Sequence, residues 1–203
     1  MDNAAVKVVK FGGSSLSDAV QCQKVRDIIL ADPARRYVVP SAPGRRFDGD
    51  DKVTDLLYRC YDMAVAGEDI DEVFSRITAR YDSIVADLGL ELDLSQQYQV
   101  IKNGFLCHVG RDYAASRGEY LNGIILAKLL GYDFIDAAYV IYFRENGSFD
   151  DEGTNEVLKE LLKKHTHAVI PGFYGSMPNG TVKTFSRGGS DITGSVVARA
   201  AGA

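Results

Sequence analysis

Short apolar runs separated by longer stretches of helical periodicity make up almost the whole chain. The first run covers residues 6–11, is rich in valine and ends at two glycines and two serines. That pattern predicts a buried strand that leads through a turn into a helix. A second run, at residues 37–39, ends in the same way near Ser41. Further strands are predicted at residues 134–143, 168–171 and 181–185.

The stretches between these strands place their apolar residues on one side of a helix. Ser17 is the predicted N-cap of the first helix, which ends near residue 32. The remaining helices are predicted at residues 53–64, 73–88, 96–114, 119–130, 155–164 and 190–203. Strands that alternate with crossover helices predict an α/β fold with a mainly parallel sheet, covered by helices on both faces. No domain boundary is expected within the chain.

Composition narrows the class of protein. The 203 residues are 46% hydrophobic and 25% charged, which suffices for one sizeable core. The formal charge of -5 argues against a nucleic-acid partner, because such proteins need a basic face to displace counterions from phosphates. Residues 45–52 are too polar to be buried, and we expect them to form an exposed loop.

The sequence also bears on location. Its longest apolar runs are far shorter than the roughly 18 residues of a membrane span. No basic segment followed by an apolar stretch marks a secretory signal at the N-terminus. The three cysteines show no ligand-like spacing, which is typical of reduced thiols. We therefore expect a cytoplasmic protein with no membrane contact.

Three junctions at the predicted carboxyl ends of strands are rich in glycine and hydroxyl residues. They cover residues 12–15, 41–44 and 188–191, and ligands of open α/β sheets bind at this edge. Paired glycines let backbone N–H groups approach an anion closely, which favours a phosphate cradle. Neither a P-loop motif nor a dinucleotide fingerprint is present, so those two classes of nucleotide site are not supported.

Lys10 lies in the first strand immediately before its glycine pair. One interpretation is an exposed lysine at the edge of a sheet. The other places its ammonium at the strand's carboxyl end, where it neutralises the oxygens of a transferring phosphoryl group. The adjacent glycines favour the second interpretation.

Four segments together resemble the aspartate kinases of the amino acid kinase family. They are Lys-Phe-Gly-Gly-Ser-Ser from Lys10, Ser-Arg-Gly-Glu ending at Glu119, Pro-Gly-Phe-Tyr-Gly from Pro171, and Phe-Ser-Arg-Gly-Gly-Ser-Asp ending at Asp191. They occur in the family's order and span nearly the whole chain. The resemblance implies transfer of the ATP γ-phosphoryl group to the β-carboxylate of L-aspartate. Its product, 4-phospho-L-aspartate, leads to lysine, threonine and methionine.

The resemblance also implies roles for individual residues. Lys10 and Asp191 are the implied catalytic residues, with Asp191 orienting Lys10. Glu119 pairs with the α-ammonium group of aspartate, and Arg187 clamps its α-carboxylate. The implied phosphate-binding residues are Gly12, Gly13 and Ser14, and the other implied substrate-binding residues are Ser41, Thr54 and Ser190. No metal ligand is implied, whereas ATP and Mg²⁺ are the implied cofactors.

A site selective for aspartate needs one anion, one planar guanidinium and a second anion-binding patch, and these residues supply that set. Glu119 has an alternative interpretation, as an acidic residue in the first turn of a helix. Ser190 and Asp191 also have an alternative interpretation, as an ordinary pair of residues at the N-cap of a helix.

The resemblance further implies that the chain is the N-terminal, amino-acid-binding portion of the catalytic domain. On this view the nucleotide-binding portion and the regulatory ACT domains lie outside it, the chain alone is inactive, and the full-length protein is a homo-oligomer. The apolar face of the last helix, which carries Val196, Val197 and Ala200, is then expected to pack against residues outside the chain. Two alternatives remain open: another amino acid kinase, of glutamate or acetylglutamate type, and a non-catalytic amino-acid-binding module.

Overall fold

The structure, a computed structural model, describes residues 5–186 and 188–203. Most of the helices and strands that the apolar pattern predicts are present, in the predicted order. The strands are β1 (Lys7–Phe11), β2 (Arg35–Pro40), β3 (Asp133–Phe134), β4 (Ala168–Val169), β5 (Tyr174–Ser176) and β6 (Val182–Thr184). The helices are α1 (Ala19–Leu30), α2 (Val53–Val65), α3 (Asp71–Asp87), α4 (Ser95–Leu106), α5 (Arg111–Leu130), α6 (Asp151–Leu162) and α7 (Gly189–Ala201). Within the described ranges, no helix is both long and apolar enough to cross a membrane.

Four strands form a parallel sheet in the order β1-β2-β4-β3. Because the strands are parallel, their carboxyl ends meet at one edge, together with the loops that follow them. The predicted α/β class with a mainly parallel sheet is confirmed.

The side chains of β2 divide between two cores, as the alternation of a strand requires. Val38 belongs to a core with α1 to α5 on one face of the sheet. Tyr37 and Val39 belong to a second core with α6 and α7 on the other. The sheet is therefore covered by helices on both faces, as expected.

The boundary between α4 and α5 differs from the prediction. Helices were expected at residues 96–114 and 119–130, but α4 ends at Leu106 and α5 runs unbroken from Arg111 to Leu130. The break falls at His108 and Gly110, whose positive φ values of 53° and 139° do not fit a right-handed helix. Glu119 consequently lies in the middle of α5, and its alternative interpretation as a first-turn residue is wrong.

The strand predicted at residues 134–143 is also mostly wrong. β3 contains two residues, and Asp136 then accepts a hydrogen bond from the Ala138 N–H at 3.0 Å and caps a short 3-10 turn. Apolar runs of this length do not distinguish strands from other buried segments. The strand predicted at residues 181–185 is present as β6, but it pairs with β5 in a separate antiparallel hairpin.

Two predictions about helix ends need correction. The N-cap of α1 is Asp18, not Ser17, because the Asp18 carboxylate accepts a hydrogen bond from the Gln21 N–H at 2.9 Å. The apolar face of α7 was expected to pack against residues outside the chain, but described residues cover it. It packs against α6, β1 and β2, where Val196, Val197 and Ala200 are buried.

The close packing of α5 against the sheet generates a testable prediction. A Cβ at Gly123 would lie 2.8 Å from Cγ of Pro171, whereas one at Gly194 in α7 would make ordinary contact, 3.6 Å from Cβ of Lys10. Gly123→Ala should lower the free energy of unfolding by about 1–2 kcal/mol through overpacking. Gly194→Ala, the matched control, should raise it by up to about 1 kcal/mol through helix propensity. Urea unfolding measures both, and equal stabilisation by the two substitutions would contradict the packing described for Gly123.

Candidate active site

An open cleft of about 370 Å³ lies at the carboxyl edge of the sheet. It brings together six of the residues singled out from the sequence, which come from five separate segments of the chain. Its described lining is Lys10, Ser41, Thr54, Glu119, Phe173, Ser186, Gly188, Gly189, Ser190 and Asp191. Residues more than 180 positions apart therefore meet in one place, as the parallel sheet predicts.

Lys10 and Asp191 form an ion pair inside this cleft. Lys10 Nζ lies 2.9 Å from Asp191 Oδ1. Asp191 is in the first turn of α7, where a carboxylate is favourable to the helix dipole. The contact agrees with the prediction that Asp191 orients Lys10, although the catalytic roles of both residues stay predictions.

Gly12, Gly13 and Ser14 lie beside the cleft rather than in its described lining. A 3-10 turn begins at Gly13, so its first N–H groups have no acceptor within the turn. Gly13 also has a packing role: its carbonyl oxygen accepts from the Gly44 N–H at 2.8 Å, and a Cβ would lie 2.8 Å from the Ala42 carbonyl oxygen. The phosphate-binding role of these three residues stays a prediction.

Glu119 presents a buried carboxylate to the cleft from the middle of α5. Its Oε2 atom has no hydrogen-bond partner within the described residues. Burial raises its pKa from the ordinary 4.5 to about 7, although the N–H groups of Ala42 and of Glu119 itself partly offset this effect. A buried carboxylate oxygen without a hydrogen-bond partner is costly, and a bound cation would relieve that cost.

Ser41 and Ser190 meet across the cleft. Their Oγ atoms lie 3.0 Å apart, and the Ser41 carbonyl oxygen accepts from Asn122 Nδ2 at 2.7 Å. Sequence reasoning missed Asn122, which is almost fully buried. Its position one helical turn after Glu119 is the signal that it shares that face of α5.

Thr54 lies in the first turn of α2 and lines the cleft, as expected. The loop before it, at residues 45–52, is exposed as predicted except at Asp50. Asp50 is buried and accepts hydrogen bonds from Arg46 and from Arg80 of α3. These hydrogen bonds hold the pKa of Asp50 well below its usual range, and the hydrogen bond from Arg46 has the largest effect. The polar composition of the loop did not reveal the burial of Asp50, because a charged residue can be buried when it is paired.

Phe173 is a second residue that sequence reasoning did not assign to the site. Its φ of 82° is unusual for a residue with a side chain. The strained backbone is held by two hydrogen bonds, from its N–H to Thr193 Oγ1 at 3.2 Å and from the Phe185 N–H to its carbonyl oxygen at 2.9 Å. Strain of this kind concentrates at functional sites. The Pro-Gly-Phe-Tyr-Gly segment was the available signal.

The four sequence segments contain two arginines, Arg187 and Arg117. Arg187, the predicted α-carboxylate clamp, lies outside the described residues. Arg117, two positions before Glu119, is buried and does not line the cleft. Its guanidinium carbon lies within 4.5–5.2 Å of three tyrosine ring centres, those of Tyr113, Tyr120 and Tyr174. Cation–π contacts therefore hold Arg117 away from the site.

The described residues do not gather three or more histidine, cysteine or acidic side chains into a metal-binding group.

Comparison with known proteins gives one consistent family. A profile of the amino acid kinase family matches residues 5–203. Aspartokinase 3 of Bacillus subtilis is 36% identical over 95% of this chain and 46% of its own length. The aspartate kinase structure from Clostridium acetobutylicum has a TM-score of 0.94 and is 50% identical over 97% of this chain and 45% of that one. The aspartokinase III structure from Escherichia coli, a complex with aspartate and ADP, has a TM-score of 0.79 at 24% identity and covers 98% of this chain and 47% of its own. The chain thus spans about half the length of these relatives.

The burial of Glu119 predicts a specific dependence of stability on pH. With a folded pKa of about 7 against an ordinary 4.5, the folded state binds more protons than the unfolded state between those values. The free energy of unfolding should therefore fall as the pH rises through that window, by at most about 3 kcal/mol, and stay level above it. Glu119→Gln removes this loss, so the variant should be the more stable protein at about pH 8.

Urea unfolding of both proteins at about pH 5 and about pH 8 measures the difference. Glu160→Gln is the control, because Glu160 is exposed and pairs with Lys163 on the surface. If Glu119→Gln is less stable than the parent at the higher pH, the inference that Glu119 carries a buried and only partly compensated charge is contradicted.

Proposed function

Because the chain belongs to the amino acid kinase family, we propose that it is the L-aspartate-binding portion of an aspartate kinase. The observation that carries the proposal is that one cleft presents groups of opposite charge. Glu119 offers it a buried carboxylate and Lys10 an ammonium. Two of the relatives reported above, at 36% and 50% identity, are aspartate kinases by name. The remainder of the catalytic domain, which binds the nucleotide, lies outside this chain in the proposal.

The proposed binding mode assigns each charge of aspartate to one group. The α-ammonium group binds the Glu119 carboxylate, which lacks a partner for Oε2 among the described residues. Binding would ionise Glu119 fully and replace its lost hydration with a charge-assisted hydrogen bond. Ser41, Thr54 and Ser190 offer hydroxyl groups around the rest of the ligand. In the proposal, Arg187 binds the α-carboxylate as a planar fork.

The proposed chemistry is transfer of a phosphoryl group to the β-carboxylate. A carboxylate oxygen attacks the γ-phosphorus of ATP, the bond from that phosphorus to its bridging oxygen breaks, and ADP leaves with the electron pair. The carboxylate is already ionised at neutral pH, so no general base is needed. Positioning and neutralisation of charge then carry the catalysis.

Lys10 is the group best placed to neutralise that charge. Its ammonium lies at the carboxyl end of β1, beside the glycine loop and held by Asp191 at 2.9 Å. A Cβ at Gly12 would lie 3.7 Å from Lys10 Nζ, so the glycine leaves the approach to the ammonium clear. The N–H groups of Gly12, Gly13 and Ser14 would bind the phosphoryl oxygens. Mg²⁺ enters the proposal bound to the ATP phosphates, as is usual for that ion.

The proposal places the product, 4-phospho-L-aspartate, in the biosynthesis of lysine, threonine and methionine. From the family we also expect a cytoplasmic location and a homo-oligomeric full-length protein. The four segments around Lys10, Glu119, Pro171 and Asp191 support it.

Calorimetric titration of the chain with L-aspartate tests the substrate. We expect aspartate to bind, and L-glutamate to bind at least about tenfold more weakly, because the extra methylene displaces one carboxylate from its partner. Glu119→Gln should weaken aspartate binding through loss of the ammonium contact. Tighter binding of glutamate would reject aspartate in favour of a glutamate-type kinase, and binding of neither would reject the proposed pocket.

Formation of aspartyl phosphate tests the role of Lys10, in a longer polypeptide that carries this chain with the segment that follows it in the relatives. Trapping the product with hydroxylamine should show a loss of about 100-fold or more in Lys10→Ala, because the charge on the transferring group is no longer neutralised. Lys7→Ala is the matched control. Lys7 lies on the same strand but pairs with Asp32 on the surface, so its loss should leave the rate unchanged. Equal rates in the two variants would remove Lys10 from the chemistry.

A further inference from the structure

One buried guanidinium on α3 contacts three separate segments behind the cleft. Arg80 is 6% exposed. Its Nη1 donates to Asp50 Oδ2 at 2.8 Å, and its Nη2 donates to the carbonyl oxygens of Ser17 and Gly44, each at 2.7 Å. The three acceptors lie 30, 63 and 36 positions from Arg80 in the sequence. Arg80 itself is not among the residues that line the cleft.

Each of these segments leads directly to a wall of the cleft. Ser17 ends the 3-10 turn that follows the glycine loop after Lys10. Gly44 lies in the loop that follows β2 and begins at Ser41, and its N–H donates to the Gly13 carbonyl oxygen. Asp50 lies three residues before α2, the first turn of which carries Thr54. Arg80 therefore joins, at one point, the segments that support the ammonium, the hydroxyl and the threonine of the site.

A guanidinium fits this arrangement of acceptors through its two terminal nitrogens. Two carbonyl oxygens and one carboxylate lie around a planar group whose donors point in fixed directions. A lysine ammonium is a compact point charge on a flexible stem and does not reproduce that fork. The Asp50 carboxylate supplies the opposite charge that a buried arginine requires.

Asp50 is in turn fixed from a second side. Arg46 donates to both of its carboxylate oxygens, from Nε at 2.9 Å and from Nη2 at 2.7 Å. The loop at residues 45–52 is thus closed on itself through Asp50 and anchored to α3 through Arg80. These hydrogen bonds fix the end of the loop that adjoins α2.

We propose that Arg80 is a positioning residue for the cleft, which sets the relative placement of the glycine loop, the loop at residues 41–44 and the start of α2 without touching the ligand. The proposal rests on the proposed function only in taking L-aspartate as the probe. Its structural part concerns the mutual order of three segments and is measurable with no ligand present.

The test compares Arg80→Lys and Asp50→Asn with the control Arg76→Lys. Arg76 is one turn earlier on α3 and pairs with Asp51 at the surface, so it matches Arg80 in helix, charge and partner type but not in burial. Hydrogen exchange of the chain without ligand should quicken by about tenfold at residues 13–17 and 41–52 in Arg80→Lys and Asp50→Asn. Exchange in the interior of α5 should stay unchanged in all three variants.

Calorimetry with L-aspartate supplies the functional readout. We expect the Kd to rise by about tenfold in Arg80→Lys and to be unchanged in Arg76→Lys. The measurement is made where every variant is fully folded, because a change in global stability alone then leaves the Kd where it was.

Three outcomes would overturn the proposal. Exchange that quickens equally in the three segments and in α5 would mean that Arg80 serves global stability only. An unchanged Kd in a variant with loosened segments would mean that their order does not matter for binding. Asp50→Asn is the deciding variant in case Arg80→Lys fails to fold. Hydrogen exchange in Asp50→Asn at the wild-type rate would remove the link through Asp50. Failure of the parent chain to bind aspartate instead rejects the proposed function and leaves the exchange result standing.

Discussion

Helix α5 crosses the carboxyl end of β2 so closely that there is no room for a side chain between them. A Cβ at Gly118 would lie 2.8 Å from that of Ala42, and the Tyr81 hydroxyl donates to the Gly118 carbonyl oxygen at 2.9 Å. This approach buries the next residue, Glu119, against the strand end and brings Asn122 within hydrogen-bond distance of the Ser41 carbonyl oxygen. The depth of the cleft and the charge at its base both follow from it.

The burial of Glu119 explains how stability and binding oppose each other at this site. A carboxylate in an apolar environment favours its neutral form, and Arg117, the nearest guanidinium along α5, is held among three tyrosine rings. The fold therefore leaves the charge of Glu119 only partly compensated. Under the proposed function, the ammonium group of the ligand supplies the missing partner, so the free energy that the empty protein lacks becomes available to binding. Functional sites commonly carry such a cost.

Short segments of sequence predicted much of the site, and long-range contacts account for most of what was missed. Lys10, Ser41, Thr54, Glu119, Ser190 and Asp191 were identified from local pattern and resemblance, and the parallel sheet brings them to one cleft. Arg80 was not identifiable, because nothing near it in the sequence shows that its acceptors lie 30 to 63 positions away. The end of α4 was missed because apolar periodicity continues through residues 107–110, while the backbone there takes positive φ values. The burial of Asp50 was missed for the same reason as Arg80: composition does not show pairing.

The ion pair of Lys10 and Asp191 differs in kind from that of Arg80 and Asp50. The Arg80 and Asp50 side chains are 5% and 7% exposed, whereas those of Lys10 and Asp191 are 29% and 70% exposed. Exposed pairs contribute little to stability, because water competes for both partners. The Lys10 ammonium is therefore not committed to Asp191. Under the proposed function, an arriving phosphoryl group takes one of its three donors at little cost while Asp191 keeps another. A tightly buried pair would hold the ammonium in place but withhold it from a substrate. The structure thus places its rigid ion pair behind the cleft and its exchangeable one inside it.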